Sequence, residues 1–473
     1  MNIGGWPRLW FGTQLPVSRR QYAASGCGLA LFKYGVEAAA IQAVTGRWLG
    51  PLDFLNPSLA ARSEVLAGAP DWLGWALFAW NLPFVWIALS MSVRRASLAG
   101  VSPWTGLAVL VPVAGLVVML ALCLAPDRTP ERWRPATGVV AAGDPGGSAA
   151  GALRALGAAL AVGVAMLVVT VYLIATYGVA LFLGTPLVMG AVAGFLFNRP
   201  LSRSRALTTG LGAVVMVAAA VIMLAFALEG LICIAMAAPI VMPLGIVGAL
   251  LGKAVADATS ISPGGVVPLV IVLPLLAGAE QLATRRLPEH VVLTSVDVAA
   301  PPERVWPHVV SFPDLPEPRE WFFRCGIACP VRARIEGAGP GAVRHCEFTT
   351  GDFVEPITVW DEPRRLAFDV TSQPDPMREL SPWRHVHPPH LADHALTSRR
   401  GEFRLVDLGD GRTRLEGRTW YTFDMHPRAY WTLWSDMAIH AIHRRVLDHV
   451  RRLAEGAHRD AGAMTDTGPA ARD

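Results

Sequence analysis

The sequence predicts a multi-pass α-helical membrane region over roughly the first 280 residues, followed by a soluble α+β domain with an antiparallel sheet and a long C-terminal helix. Three observations carry this. Mean hydropathy is +0.40, with 53% apolar and 16% charged residues, outside the range of chains solvated by water alone. Charge is uneven: 101–281 holds few ionisable side chains, whereas 285–455 is dense in Arg, Asp, Glu and His. The hydrophobic period also changes after Arg286, from long apolar runs to short β-rich ones.

A bilayer core of about 30 Å needs roughly 20 apolar residues in a helix, and about eight windows meet that length. They are Ser25 to Val44, Trp72 to Ser92, Trp104 to Ala125, Gly157 to Tyr177, Gly178 to Phe197, Leu207 to Leu228, Gly230 to Leu251 and Val266 to Gln281. The fourth and fifth are poorly separated. Pro126 to Ala150 is rich in Pro, Gly and Ala and reads as a linker. The expected organisation is a first membrane module over 1–125 with about three helices, a linker over 126–156 and a second module over 157–285 with about five helices. A soluble domain over 288–455 and a disordered polar tail over 456–473 follow.

The arginines at 94/95, 199/203/205 and 285/286 cannot all lie on one side under the eight-helix count, and taking the fourth and fifth windows as one broken helix moves 285/286 to the other face, so charge leaves orientation open. The six cysteines make no paired framework, and the soluble part has no Asn-x-Ser/Thr site. Both favour a cytoplasmic C-terminal domain. No cleavable signal segment is evident, so the first helix is expected to remain as an anchor. Lys33 and Glu37 share a helical face at i and i+4, as a self-neutralising pair would. Glu229 falls between two windows and reads as an interfacial carboxylate. A net charge of +4, scattered among acids, argues against a nucleic-acid groove.

Before the first window stands Ser18-Arg19-Arg20-Gln21-Tyr22, and around the second loop stand Pro83, Arg94-Arg95 and Ser102-Pro103-Trp104. On these residues, 11–124 resembles a widespread bacterial family of small inner-membrane proteins with no established activity. It departs from that family in having Ala96 and Ser97 where a His-Asp pair follows the double arginine. The resemblance implies a location in the bacterial cytoplasmic membrane and no chemistry.

After Arg286, the run Val291 to Val298 reads as a strand, and Pro302 and Glu303 suit the first turn of a helix carrying Val305, Trp306, Val309 and Val310 on one face. Strands are expected at Val331 to Ile335, Ala342 to Thr349, Phe353 to Trp360, Arg365 to Thr371, Gly401 to Leu408 and Thr413 to Phe423. Turn signals such as Gly409-Asp410-Gly411 separate them. Gly337, Gly339 and Gly341 precede a strand, which excludes a dinucleotide loop. Pro427 to Glu455 makes one long helix with an apolar stripe through Tyr430, Trp434, Met437, Ala441, Val446, Val450 and Leu453.

This order of elements, with Ala300-Pro301-Pro302-Glu303-Arg304-Val305-Trp306, Gly341-Ala342-Val343-Arg344, Glu355-Pro356-Ile357-Thr358-Val359-Trp360 and Arg412-Thr413-Arg414-Leu415-Glu416, resembles the START-related SRPBCC superfamily over 291–455. The resemblance implies a helix-grip fold with a hydrophobic cavity between the sheet and the last helix. Members bind sterols, lipids, hormones or polyketides, and only some catalyse a reaction, so the fold alone leaves function open.

Candidate pocket residues are Trp306, Trp321, Phe348, Phe353, Trp360, Phe403, Trp420, Trp434 and Met437, with Arg344, Glu355 and His440 as polar groups to orient a ligand. Between two strands lies an insertion, Ser372 to Arg400, with His385, His387, His390 and His394. Its prolines restrict the backbone, and neither an HExxH motif nor a closed Cys/His set accompanies it, so no metal and no cofactor are expected. The leading expectation is non-catalytic binding of a hydrophobic small molecule or lipid beside the bilayer. One alternative is a cyclase-like or hydrolytic enzyme using Glu355, Asp436 or His440 as acid or base. The other is a membrane sensor or assembly factor that docks a protein, which predicts a filled cavity and an exposed apolar patch.

Overall fold

The computed structural model describes residues 6–12, 16–55, 66, 68–101, 103–110, 112–128, 145–258, 267–283, 287–382, 386, 388–392 and 395–465. Packing divides the chain into two compact units. One comprises Met1–Met166, Leu183–Ala219 and Ile240–Leu275; the other comprises Leu167–Phe182, Ala220–Pro239 and Leu276–Asp473.

Among the described residues, six helices are long and apolar enough to cross a membrane: Arg19–Thr45, Trp72–Leu98, Ala149–Leu173, Ala180–Asn198, Arg205–Ala225 and Leu231–Asp257. The fourth and fifth expected windows are thus separate helices, each long and apolar enough to cross. Two of the eight windows fall short. In the third, a 3-10 segment Pro103–Leu110 precedes a helix Pro112–Leu124 of 13 residues. Pro112 lacks the amide needed to continue a helix, and a side chain at Gly106 would strike the backbone of Val93. The eighth forms the 17-residue helix Val267–Ala283, whose apolar stretch Ile271–Gln281 is shorter than a span.

In the first unit, Ser18 and Gln21 form a capping box at the start of the first span. Lys33 Nζ and Glu37 Oε1 are 2.8 Å apart, the pair expected from their spacing. Arg94 and Arg95 are fully buried. Helices 185–198 and 231–258 cross closely through glycines, since a Cβ at Gly194 would strike Ala249 and one at Gly252 would strike Ala191. The seventh expected window ends at Leu251, but the helix runs on to Ala258 and carries a buried i, i+4 pair, Lys253 and Asp257, at 3.1 Å.

The second unit contains a seven-stranded sheet in the order β1-β7-β6-β5-β4-β3-β2, antiparallel throughout. The strands are β1 Glu289–Val298, β2 Pro330–Glu336, β3 Val343–Phe348, β4 Gly351–Asp361, β5 Arg365–Asp369, β6 Leu396–Gly409 and β7 Arg412–Phe423. The Gly409-Asp410-Gly411 turn is left-handed at all three residues, with φ of 78°, 53° and 68°. Two short helices, Pro302–Val310 and Trp321–Arg324, fill the crossover from β1 to β2. The closing helix, Arg428–Thr465, lies on the sheet and continues ten residues past Glu455, because Ala457, Ala461, Ala463 and Met464 favour helix. The core between them includes Val298, Trp306, Phe312, Ile357, Leu366, Leu415, Leu447 and Val450.

Candidate functional site

Strand parity decides which side chains meet the closing helix. On β7, Thr419 bonds His443 and Tyr421 bonds Ser435, while a Cβ at Gly417 would touch Leu447; these odd positions face the helix. On β1 the even positions do, with Thr294 bonded to His440, and Val291 and Leu293 are left exposed.

Between β3–β7 and the helix lies a cavity of about 150 Å³. Arg344, Cys346 and Phe348 of β3, Phe353 and Glu355 of β4, Phe368 of β5 and Phe403 of β6 line it. The helix contributes Ser435, Ala438, Ile439, Ile442, His443 and Val446, spaced at three or four residues as one face requires. Gln373, Pro374, Asp375 and Pro376 of the insertion complete the wall.

Two polar devices sit in this apolar wall. Arg344 and Glu355 form a buried ion pair, and the guanidinium carbon lies 5.4–5.7 Å from the ring centroids of Phe403, Phe368 and Phe312. Burial pushes the Glu355 carboxyl up from its ordinary range, and the adjacent guanidinium opposes the shift. The second device is His443, whose Nδ1 lies 3.1 Å from Thr294 Oγ1 and whose Nε2 lies 2.8 Å from Thr419 Oγ1. Burial, with His440 adding to it, holds its pKa down to about 4, so the ring is neutral at pH 7.

Of the residues singled out in the sequence, Arg344, Phe348, Phe353, Glu355 and Phe403 line the cavity together. The others lie elsewhere. Trp360 follows a bulge between Ile357 and Val359 and packs edge-on against Trp306 in the core, centroids 5.7 Å apart. Trp321 is 74% exposed and Met437 46% exposed. Trp420 has the outward parity and lies under the guanidinium of Arg400, 4.5 Å away. Trp434 belongs to a second apolar stripe of the closing helix, which packs with Tyr430 beside Tyr177, Phe182 and Met236. His440 Nδ1 is 2.8 Å from Thr294 Oγ1, and Asp436 accepts a 2.6 Å hydrogen bond from Tyr421. His443, three residues beyond His440, was not among the residues singled out in the sequence. Its place on the 435–439–442–446 face was the signal that could have found it. Among the described residues, no group of His, Cys, Asp and Glu with metal-ligand spacing lines the cavity.

A curled antiparallel sheet gripping one long helix around a cavity defines the helix-grip class. Residues 289–456 match the family model described as polyketide cyclase / dehydrase and lipid transport, so the C-terminal domain is SRPBCC-like. Among solved structures, the chain is similar to norcoclaurine synthase from Thalictrum flavum at 12% identity, covering 36% of this chain and 88% of that one, with a TM-score of 0.25. It is also similar to the Zhui aromatase/cyclase from Streptomyces sp. R1128, at 17% identity over 37% of this chain and 99% of that one, with a TM-score of 0.24. A third is the di-domain aromatase/cyclase BexL, at 15% identity over 42% and 63%, with a TM-score of 0.25. No curated protein matches the chain.

Proposed function

We propose that the C-terminal domain binds one apolar small molecule, or one end of a lipid, in the cavity between sheet and closing helix, and does so without catalysis beside the membrane its spans enter. The observation that carries this is the cavity itself. A volume of about 150 Å³ holds a group the size of benzene, and its wall is phenylalanine and isoleucine with one buried ion pair to orient a polar end. Tethering to the bilayer raises the effective concentration of a membrane-borne ligand. We assign the spans to a bacterial cytoplasmic membrane and the domain to its cytoplasmic side. The free thiols of Cys325, Cys329 and Cys346 support a reducing compartment. A membrane-impermeant thiol reagent is expected to label Cys325 in inverted vesicles and not in right-side-out ones.

The test is native mass spectrometry and solvent extraction of the full chain purified in detergent, beside an Ala438→Phe variant that fills the cavity from the helix. Wild-type protein is expected to carry a stoichiometric apolar molecule, and the folded variant to lose it. A folded wild-type protein that stays empty against a broad lipid panel would move the assignment to protein docking. One observation favours a catalytic reading as second choice: Glu355 and His443, a carboxyl and a neutral imidazole, line one cavity. That reading predicts turnover of the extracted molecule, abolished by Glu355→Gln or His443→Gln.

A further inference from the structure

Away from the cavity, three parts of the second unit converge on one buried point. Glu229 follows the span 205–225, Cys233 lies in the first turn of the helix Leu231–Ala258, and His390 sits in the four-residue helix Pro389–Ala392 of the insertion. A carboxylate oxygen, the thiol sulfur and an imidazole nitrogen all lie within 4.8 Å of one another. Cys233 Sγ is 3.3 Å from His390 Nε2, and His390 Nδ1 is 3.6 Å from Glu229 Oε1. Zinc bonds of about 2.0–2.3 Å set the edges of a coordination tetrahedron at roughly 3.3–3.6 Å. The ion takes only one of the two ring nitrogens, so three atoms spread over up to 4.8 Å close by about 1–1.5 Å to seat it.

A second observation points to a ligand here. Glu229 and His390 are both more than nine-tenths buried, and Glu229 Oε2 and His390 Nδ1 have no hydrogen-bond partner. Among the described residues, no lysine or arginine pairs with Glu229. Without an ion, burial first and the nearby Glu379 second push its carboxyl up to about 8 and keep it protonated, whereas the ionised form at this site requires a cation beside it. The surroundings hold the ligands in place: Glu379 accepts hydrogen bonds from the amides of Ile232 (3.0 Å) and Cys233 (3.1 Å), and the Tyr177 ring packs edge-on against the His390 imidazole at 5.1 Å. The order thiol, imidazole, carboxylate is also that of a nucleophilic triad. Glu379 already occupies the amides at the thiol, where an oxyanion would need its donors, which argues against that use.

We propose that Glu229, Cys233 and His390 bind one divalent cation of the zinc class, with a fourth coordination position left for a small ligand. The thiol gives up its proton to solvent as the metal–sulfur bond forms, and the imidazole binds neutral. The ion staples the insertion of the helix-grip domain to the start of the helix 231–258. In the sequence His390 stands among neighbouring histidines, and Cys233 is 157 residues away. The site is independent of what the cavity binds.

The experiment is titration of the metal-stripped full chain in detergent with Co²⁺ alone, then with Zn²⁺. The expected result is one equivalent of Co²⁺, a near-ultraviolet thiolate-to-cobalt absorption and its displacement by Zn²⁺. Cys233→Ser is expected to abolish that absorption, and Glu229→Gln and His390→Ala to weaken affinity at least tenfold. A triple His385→Ala, His387→Ala, His394→Ala variant is expected to bind as wild type. Wild-type protein without the thiolate band, a band that survives Cys233→Ser, or binding lost in the triple variant overturns the site. Should a variant fail to fold, wild-type protein still decides: Zn²⁺ must shield Cys233 from alkylation in peptide mass maps, and an unshielded Cys233 rejects the proposal.

Discussion

Arg344 on β3 and Glu355 on β4 stand directly opposite one another in the strand register and form an ion pair whose members are 1% and 6% exposed. Desolvating two charges cancels much of their attraction, so such a pair adds little net stability, yet losing one partner strands the other. In the proposed function this pair, standing in the cavity wall, orients a ligand, a role that stability does not supply.

Glu355→Ala is therefore expected to cost about 3–5 kcal/mol, whereas the apolar double variant Arg344→Met/Glu355→Leu is expected to be neutral or stabilising. Denaturation of the full chain in detergent, followed by tryptophan fluorescence, measures both. If the pair orients a ligand, the double variant stays folded and loses the co-purifying molecule. Retention of that molecule would reduce the pair to a structural role.

His443 makes stability depend on pH in a defined direction. Its folded pKa is about 4 against 6.5 unfolded, so between those values the unfolded chain binds the extra proton. Its contribution is complete above pH 6.5 and is lost as pH falls toward 4, by on the order of 3 kcal/mol. His443→Gln is expected to flatten the stability curve over that window relative to wild type. Parallel curves would mean that the ring is solvated or already charged in the folded state.

Much of the helix-grip domain was legible because its signals are local. Alternating apolar residues and glycine turns marked β2 through β7, and Pro302-Glu303 marked a helix start. The cavity was legible only in part, since each strand's face depends on register. Phe403 and Trp420 look alike in sequence, but pairing across β6 and β7 turns one inward and the other under Arg400. The closing helix misled for another reason: it carries two apolar stripes, and the tryptophan-rich one packs beside Tyr177 and Met236 rather than on the cavity. Contacts between distant segments, such as Cys233 with His390, leave no periodic trace at all.

The glycine crossing in the first unit predicts intolerance of side chains at two matched places. Gly194→Leu or Gly252→Leu would push a side chain into the opposing helix backbone, which leaves no flexible atom to move aside. Each is expected to cost about 1–3 kcal/mol or more and to lower the folded yield on size exclusion. Gly210→Leu, where a Cβ meets open space, is the control and should behave as wild type.

Arg95, near the end of the apolar helix Asp71–Leu98, finds its partners at the end of another helix. Its Nε donates to the Leu122 carbonyl at 3.0 Å, one terminal nitrogen donates to Asp127 at 2.6 Å, and the other donates to the Ala125 carbonyl. It thus caps the C-terminal end of the helix Pro112–Leu124, where a cation is favoured, and shares Asp127 with the backbone amide of Arg19. Arg95→Ala leaves these acceptors without their donor, at about 1–3 kcal/mol for each one buried. Arg95→Lys keeps the charge but loses the planar fork, so its loss is expected to be intermediate. Thermal unfolding of the detergent-solubilised chain should rank wild type above Lys above Ala; an alanine variant within about 0.5 kcal/mol of wild type would show that the cap is not needed.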